Sequence, residues 1–158
     1  MSIDIEEQYD KIYRYCYFKL HSRELAEDIT QETFLRYLKH YHCTNTVSAL
    51  KYLYTIARNL CVDEYRKPRV FSVDDNAQEA IASDDTMEEK LMIKLATRAA
   101  LSKLAPEEQE LLLLRYVNGV SVSALTGIYG LSRFAIHRRI SSASNKFRAE
   151  MEKEDWHG

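Results

Sequence analysis

The sequence has few chain breakers: 4 Gly and 2 Pro in 158 residues. A many-stranded β fold needs turn residues every few positions, so this scarcity excludes it and makes long helices the default. No apolar run approaches the ~20 residues that cross a bilayer, so no membrane insertion is expected. The start carries Asp4, Glu6 and Glu7 with neither a basic opening nor an apolar core, unlike a secretory leader. Three cysteines, Cys16, Cys43 and Cys61, are odd in number and widely spaced, which argues against a disulfide framework and suits the reducing cytoplasm. Phosphate-binding glycine loops, H-E-x-x-H and G-x-S-x-G are also missing, and no acid is paired with a His or Ser in a catalytic pattern. These absences point away from an enzyme and away from a cofactor. Only His40, His42 and Cys43 hint at metal binding. They lack a second pair at ligand spacing, so no metal site is expected.

What is present is a balanced globular composition, 46% hydrophobic and 29% charged. The net charge of −2 hides an uneven distribution. Residues 1–70 hold 11 basic and 10 acidic side chains, residues 71–98 hold 3 and 7, and residues 99–158 hold 8 and 7. Acid is concentrated in the middle, leaving room for basic surfaces at either side.

Apolar positions Ile5, Tyr9, Ile12, Tyr13, Cys16, Tyr17 and Leu20 form one helical stripe. Ser22 is placed to cap a second helix carrying Leu25, Ile29, Tyr37 and Leu38. A third has its core face at Leu50, Leu53, Tyr54, Ala57, Leu60 and Cys61, and stops before Pro68. Periodicity then vanishes through DDNAQEAIASDD, which reads as an acidic linker. It returns with a capping box, Thr86 to Glu89, and Pro106 suits the first position of a following helix that ends near Gly119. A short helix, about Ser121 to Ile128, leads to the turn Tyr129-Gly130-Leu131. Ser132 caps a last helix with apolar positions Ile136, Ile140, Ala143, Phe147 and Met151. The expected fold is all-α. A three-helix bundle over 1–68 and a four-helix domain over 86–158, ending in a helix-turn-helix, are joined by a linker over 69–85.

From Leu131 to Ala149 there are five basic residues and no acidic one. A short helix, a glycine turn and a basic helix are what place a recognition helix in the major groove. Nine of 11 tyrosines lie in the first 66 residues, beside Lys51, Arg58, Asn59, Asp63 and Arg66 on the third helix. Single-stranded bases stack on such rings, although Tyr13, Tyr17 and Tyr54 lie on apolar stripes and belong with the core. Asp28, Gln31, Glu32 and Leu35 share one face of the second helix, which alone means only a solvated surface.

AEDITQETFLRYLKH followed by YLYTIARNLCVDEYR resembles region 2 of bacterial sigma factors of the extracytoplasmic-function (ECF) group. ALSKLAPEEQELLLLRYVNGVSVSALTGIYGLSRFAIHRRISSASNKFR resembles region 4 of the same group. The resemblance implies a transcription initiation subunit that binds core RNA polymerase, through the largest-subunit clamp helices and the flap, together with promoter DNA. An anti-sigma factor is a further partner it implies. Asp28, Gln31, Glu32, Phe34 and Leu35 correspond to the face that docks on the clamp helices. The loop from His42 to Ser48, with His42, Asn45 and Thr46, corresponds to the pocket for a flipped base of the minus-ten element. Lys51, Arg58, Asn59, Asp63 and Arg66 fall on the helix that contacts that element. Ser132, Arg133, His137, Arg138 and Arg139 fall on the helix that reads the minus-thirty-five element. This chain departs from the pattern in having Tyr52 where the group usually has Trp. It also has Ala124-Leu125-Thr126, then Gly127, in place of Glu-Ile-Ala, so the short helix should be weaker. A stand-alone helix-turn-helix regulator and a sigma-like adaptor that does not initiate transcription are the alternative readings.

Overall fold

The computed structural model describes residues 4–40, 45–67 and 87–155, all of whose regular structure is helical. Helices α1 (Ile5–Leu20), α2 (Arg23–His40) and α3 (Thr46–Arg66) form the first domain. Helices α4 (Met87–Ser102), α5 (Pro106–Leu112), α6 (Val122–Tyr129) and α7 (Arg133–Asp155) form the second. The linker reading and the capping residue Thr86 lie outside the described residues, as do His42 and Cys43.

Local chemistry sets the boundaries. The Asp4 side chain accepts from the Glu7 N–H, and α1 ends at His21 in the left-handed conformation. The Leu25 N–H donates to Ser22 Oγ, and Asn45 Oδ1 accepts from the Ser48 N–H at the start of α3. Pro106 opens α5, with the Glu108 carboxylate accepting from the Ala105 N–H. Beyond α5 the chain loosens into one π turn, Leu113–Val117, which the periodicity did not reveal, before Gly119 at φ +70° turns it.

One apolar core runs through both domains. Ile12, Tyr15, Leu53 and Tyr54 from the first meet Leu111, Leu114, Leu125 and Ile136 from the second. Tyr15 and Tyr54 pack edge to face at 5.9 Å. Cys16 and Cys61, distant in sequence, are both fully buried free thiols, one on α1 and the other on α3.

Candidate polymerase and nucleic-acid interface

The two domains are fastened by polar groups inside that core. Glu110 of α5 is 1% exposed, yet both carboxylate oxygens are satisfied. Oε2 accepts from the Tyr15 hydroxyl at 2.6 Å and lies 3.1 Å from Lys19 Nζ. Oε1 accepts from the Tyr129 hydroxyl at 2.6 Å and lies 3.6 Å from Arg58 Nε. Burial pushes the carboxyl pKa up, but the two tyrosine hydrogen bonds and the charges of Lys19 and Arg58 outweigh it and hold Glu110 below the usual carboxylate range. Burial and the adjacent carboxylate push the Tyr15 and Tyr129 hydroxyls up, so both remain donors. Asn118 completes the seam. Its amide donates to the Lys11 carbonyl and the Tyr54 hydroxyl, each at 3.0 Å, while its Oδ1 accepts from Arg14 at 2.7 Å.

This seam divides the polar residues of α3 into two groups. Lys51 and Arg58, seven residues apart, face α6. The Arg58 guanidinium lies 4.6 Å over the Tyr129 ring and donates to the Ile128 carbonyl at 3.5 Å. The Lys51 stem passes Gly127 so closely that a Cβ there would sit 2.6 Å from Lys51 Cδ. The adjacent stripe, Asn59, Asp63 and Arg66, is exposed, as are Asn45 and Thr46 at the helix start. The sequence pattern treats Arg58 as equivalent to its three partners; the fold separates it from them.

Gly127 therefore has a packing role besides its cost to helix α6. Gly127→Ala is expected to stabilise by less than the ~1 kcal/mol helix gain, because the exposed, flexible Lys51 side chain has to shift aside. In a Lys51→Ala background the same change should stabilise by about 1 kcal/mol. Equal effects in both backgrounds, measured by urea unfolding, would show that the contact does not matter.

On α2, Asp28, Gln31 and Leu35 are exposed, and Leu35 at 62% is joined by Leu38 at 63%. Glu32 is half-buried and paired with Arg36 at 2.8 Å. Phe34 is a correction to the docking face. It is 5% exposed, stacked on Tyr9 at 5.4 Å and set edge-on to Tyr37, so it belongs to the core. A groove of about 800 Å³ separates α2 from α3, lined by Leu35, Leu38, Tyr52, Ile56 and Asn59 among others. Tyr52, where a Trp was expected, packs at 6.2 Å against Tyr37.

In the second domain α6, the turn at Gly130 (φ +68°) and α7 form a helix-turn-helix. Ser132 Oγ accepts from the Ala135 N–H, and Ile136, Ile140 and Ala143 are buried, which fixes the rotation of α7. Arg133, His137 and Arg138 are exposed, with Arg133 donating to Ser123 Oγ of α6 at 2.8 Å. Arg139 and Lys146 turn the other way, to Glu107 at 3.2 Å and Glu108 at 2.6 Å. The acid-free run thus supplies both an outward basic stripe and the tie between α7 and α5.

Residues 5–70 match sigma-70 region 2, and residues 100–149 match sigma-70 region 4. The chain is 33% identical to the ECF RNA polymerase sigma factor EcfG of Rhodopseudomonas palustris, over 78% of this chain and 70% of that one. The chain belongs to the ECF RNA polymerase sigma factors. It is also 33% identical to the ECF sigma factor BldN of Streptomyces coelicolor, over 82% of this chain but 52% of BldN, so this sigma factor spans about half that relative's length. The sigma factor RpoE of Bartonella quintana, solved in complex with the anti-sigma factor NepR, shares the fold. The TM-score is 0.63 with 19% identity, covering 91% of each chain. Among the described residues, no helix is long and apolar enough to cross a membrane.

Proposed function

We propose that this sigma factor binds core RNA polymerase and directs initiation at promoters carrying its own minus-ten and minus-thirty-five elements. The work is done by residues 1–68 and 86–158, joined by a linker over 69–85. It acts in the cytoplasm, without catalysing a reaction itself. The observation that carries this reading is the α2 surface, where Leu35 and Leu38 stand exposed beside Asp28 and Gln31. Apolar side chains ringed by polar ones are the usual form of a protein-docking patch. That patch binds the clamp helices. Asn59, Asp63 and Arg66, with Lys51 and Arg58, meet the minus-ten strand, and His42 with Asn45 and Thr46 at the start of α3 hold its flipped base. Capturing a base already out of the stack favours strand opening without a motor. Ser132, Arg133, His137 and Arg138 read the minus-thirty-five duplex, and Arg139 joins them on leaving Glu107. An anti-sigma partner belongs to the reading, in line with the complex in which the RpoE neighbour was solved.

Arg58 is engaged with Glu110 and Tyr129 in the present arrangement. Its use on DNA therefore requires α3 to part from α5 and α6. The test is reconstituted transcription with core polymerase on fragments from the chain's own genome. Specific initiation is expected, and it should disappear when Asp28 and Gln31 are both changed to Ala. A chain that binds neither core nor DNA would refute the reading.

A further inference from the structure

Phe134 is 74% exposed, the most exposed large apolar side chain among the described residues. It contributes little to the core, and its position on α7 is set by neighbours that do. With Ile136, Ile140 and Ala143 buried, the residues at 134, 137, 138 and 141 share the outward stripe. The aromatic ring therefore stands in a row with His137, Arg138 and Ser141, next to Arg133. The Arg138 guanidinium lies 5.2 Å from its ring centroid, so ring and cation hold each other in place.

We propose that Phe134 is a specificity-determining residue that reads a thymine of the minus-thirty-five element by packing against its 5-methyl group. This rests on the proposed sigma function. The first turns of a recognition helix are the part that reaches base edges, and the thymine methyl is the one apolar group in the major groove. The surroundings favour a nucleic-acid partner over an apolar protein surface: basic and hydroxyl side chains flank it, with no acid between Leu131 and Ala149. That is the charge of a surface facing phosphates. Arg138, stacked on the ring, is brought over the same base step with less rotamer freedom to lose on binding.

Holoenzyme formed from core polymerase and the full chain is used to select duplexes from a randomised minus-thirty-five library. Each selected thymine is then replaced by deoxyuridine, which removes only the methyl. At one position the replacement should weaken wild-type binding about four-fold, as expected for one buried methyl-sized group. Phe134→Ala should bind the thymine duplex as weakly as wild type binds the uracil duplex, and should not distinguish the two. Phe134→Leu, which keeps an apolar side chain, should retain the distinction in part. Indifference of wild type to every replacement, undiminished methyl dependence in Phe134→Ala, or selection of sites without thymine would each overturn the assignment. Failure to select any duplex would instead remove the sigma reading beneath it.

Discussion

Glu110→Ala is expected to lower the free energy of unfolding by about 3–5 kcal/mol, the usual cost of removing one partner from a buried ionic cluster. The loss has two parts. The Tyr15 and Tyr129 hydroxyls lose their acceptor in a buried site, and Lys19 and Arg58 lose the charge that compensates them. Glu110→Gln keeps the volume and one carbonyl acceptor, so it should cost less while still releasing Arg58. Its diagnostic effect is on binding: single-stranded minus-ten DNA should bind Glu110→Gln more tightly than wild type, because Arg58 no longer has to leave a carboxylate. Equal affinity of the two chains would show that the seam does not limit access to Arg58.

The same group gives a pH dependence. The folded Glu110 carboxyl is held below its unfolded value, so its contribution is fully present above the unfolded pKa. It is lost as pH falls through the folded one. Urea midpoints of wild type should therefore drop on the acid side, below the ordinary glutamate range, and Glu110→Gln should lack that part of the decline. Parallel curves for the two proteins would assign the acid sensitivity to other carboxylates.

Phe34→Ala and Leu35→Ala, adjacent substitutions on one helix, should differ in kind. Phe34 fills the space between Tyr9 and Tyr37, and its truncation is expected to cost about 3–5 kcal/mol of stability through lost burial and the cavity left behind. Leu35 is largely in solvent, so Leu35→Ala should unfold at the wild-type urea concentration. If α2 is the docking face, it should nevertheless weaken core polymerase binding about ten-fold or more, as the central apolar residue of a small interface does. Urea unfolding paired with a core-binding titration separates the two effects. Loss of polymerase binding in Phe34→Ala without loss of stability would restore Phe34 to the interface, and wild-type binding by Leu35→Ala would move the interface elsewhere.

Helix positions, caps and the helix-turn-helix were legible because each rests on neighbours in sequence. Ser22, Pro106, Ser132 and the glycines at 119 and 130 act through groups a few residues away, and apolar spacing of 3 and 4 marks a face wherever the helix lies. The basic run on α7 was visible for the same reason, and so was the departure at Gly127. Phe34 was misassigned because its motif neighbours are exposed; its burial depends on where Tyr9 and Tyr37 arrive. Glu110 was overlooked among Glu107 and Glu108, although it adjoins Leu111 and lies four residues before Leu114 on an inward face.

The sequence alone determined an all-helical chain, the order of its helices, and the residue types available to polymerase and DNA. Those properties follow from backbone hydrogen bonding and side-chain periodicity within single helices. Only the tertiary structure decided that one core runs through both domains, that Glu110 and Asn118 fasten it, and that Arg58 reaches into the seam and the exposed Lys51 lies along α6, while Asn59, Asp63 and Arg66 face away. Such pairings between the domains join residues about 50 to 110 positions apart, from Arg58–Glu110 to Asn118–Lys11. A buried carboxylate is stable only where several donors converge on it, and that convergence is a property of the packed helices.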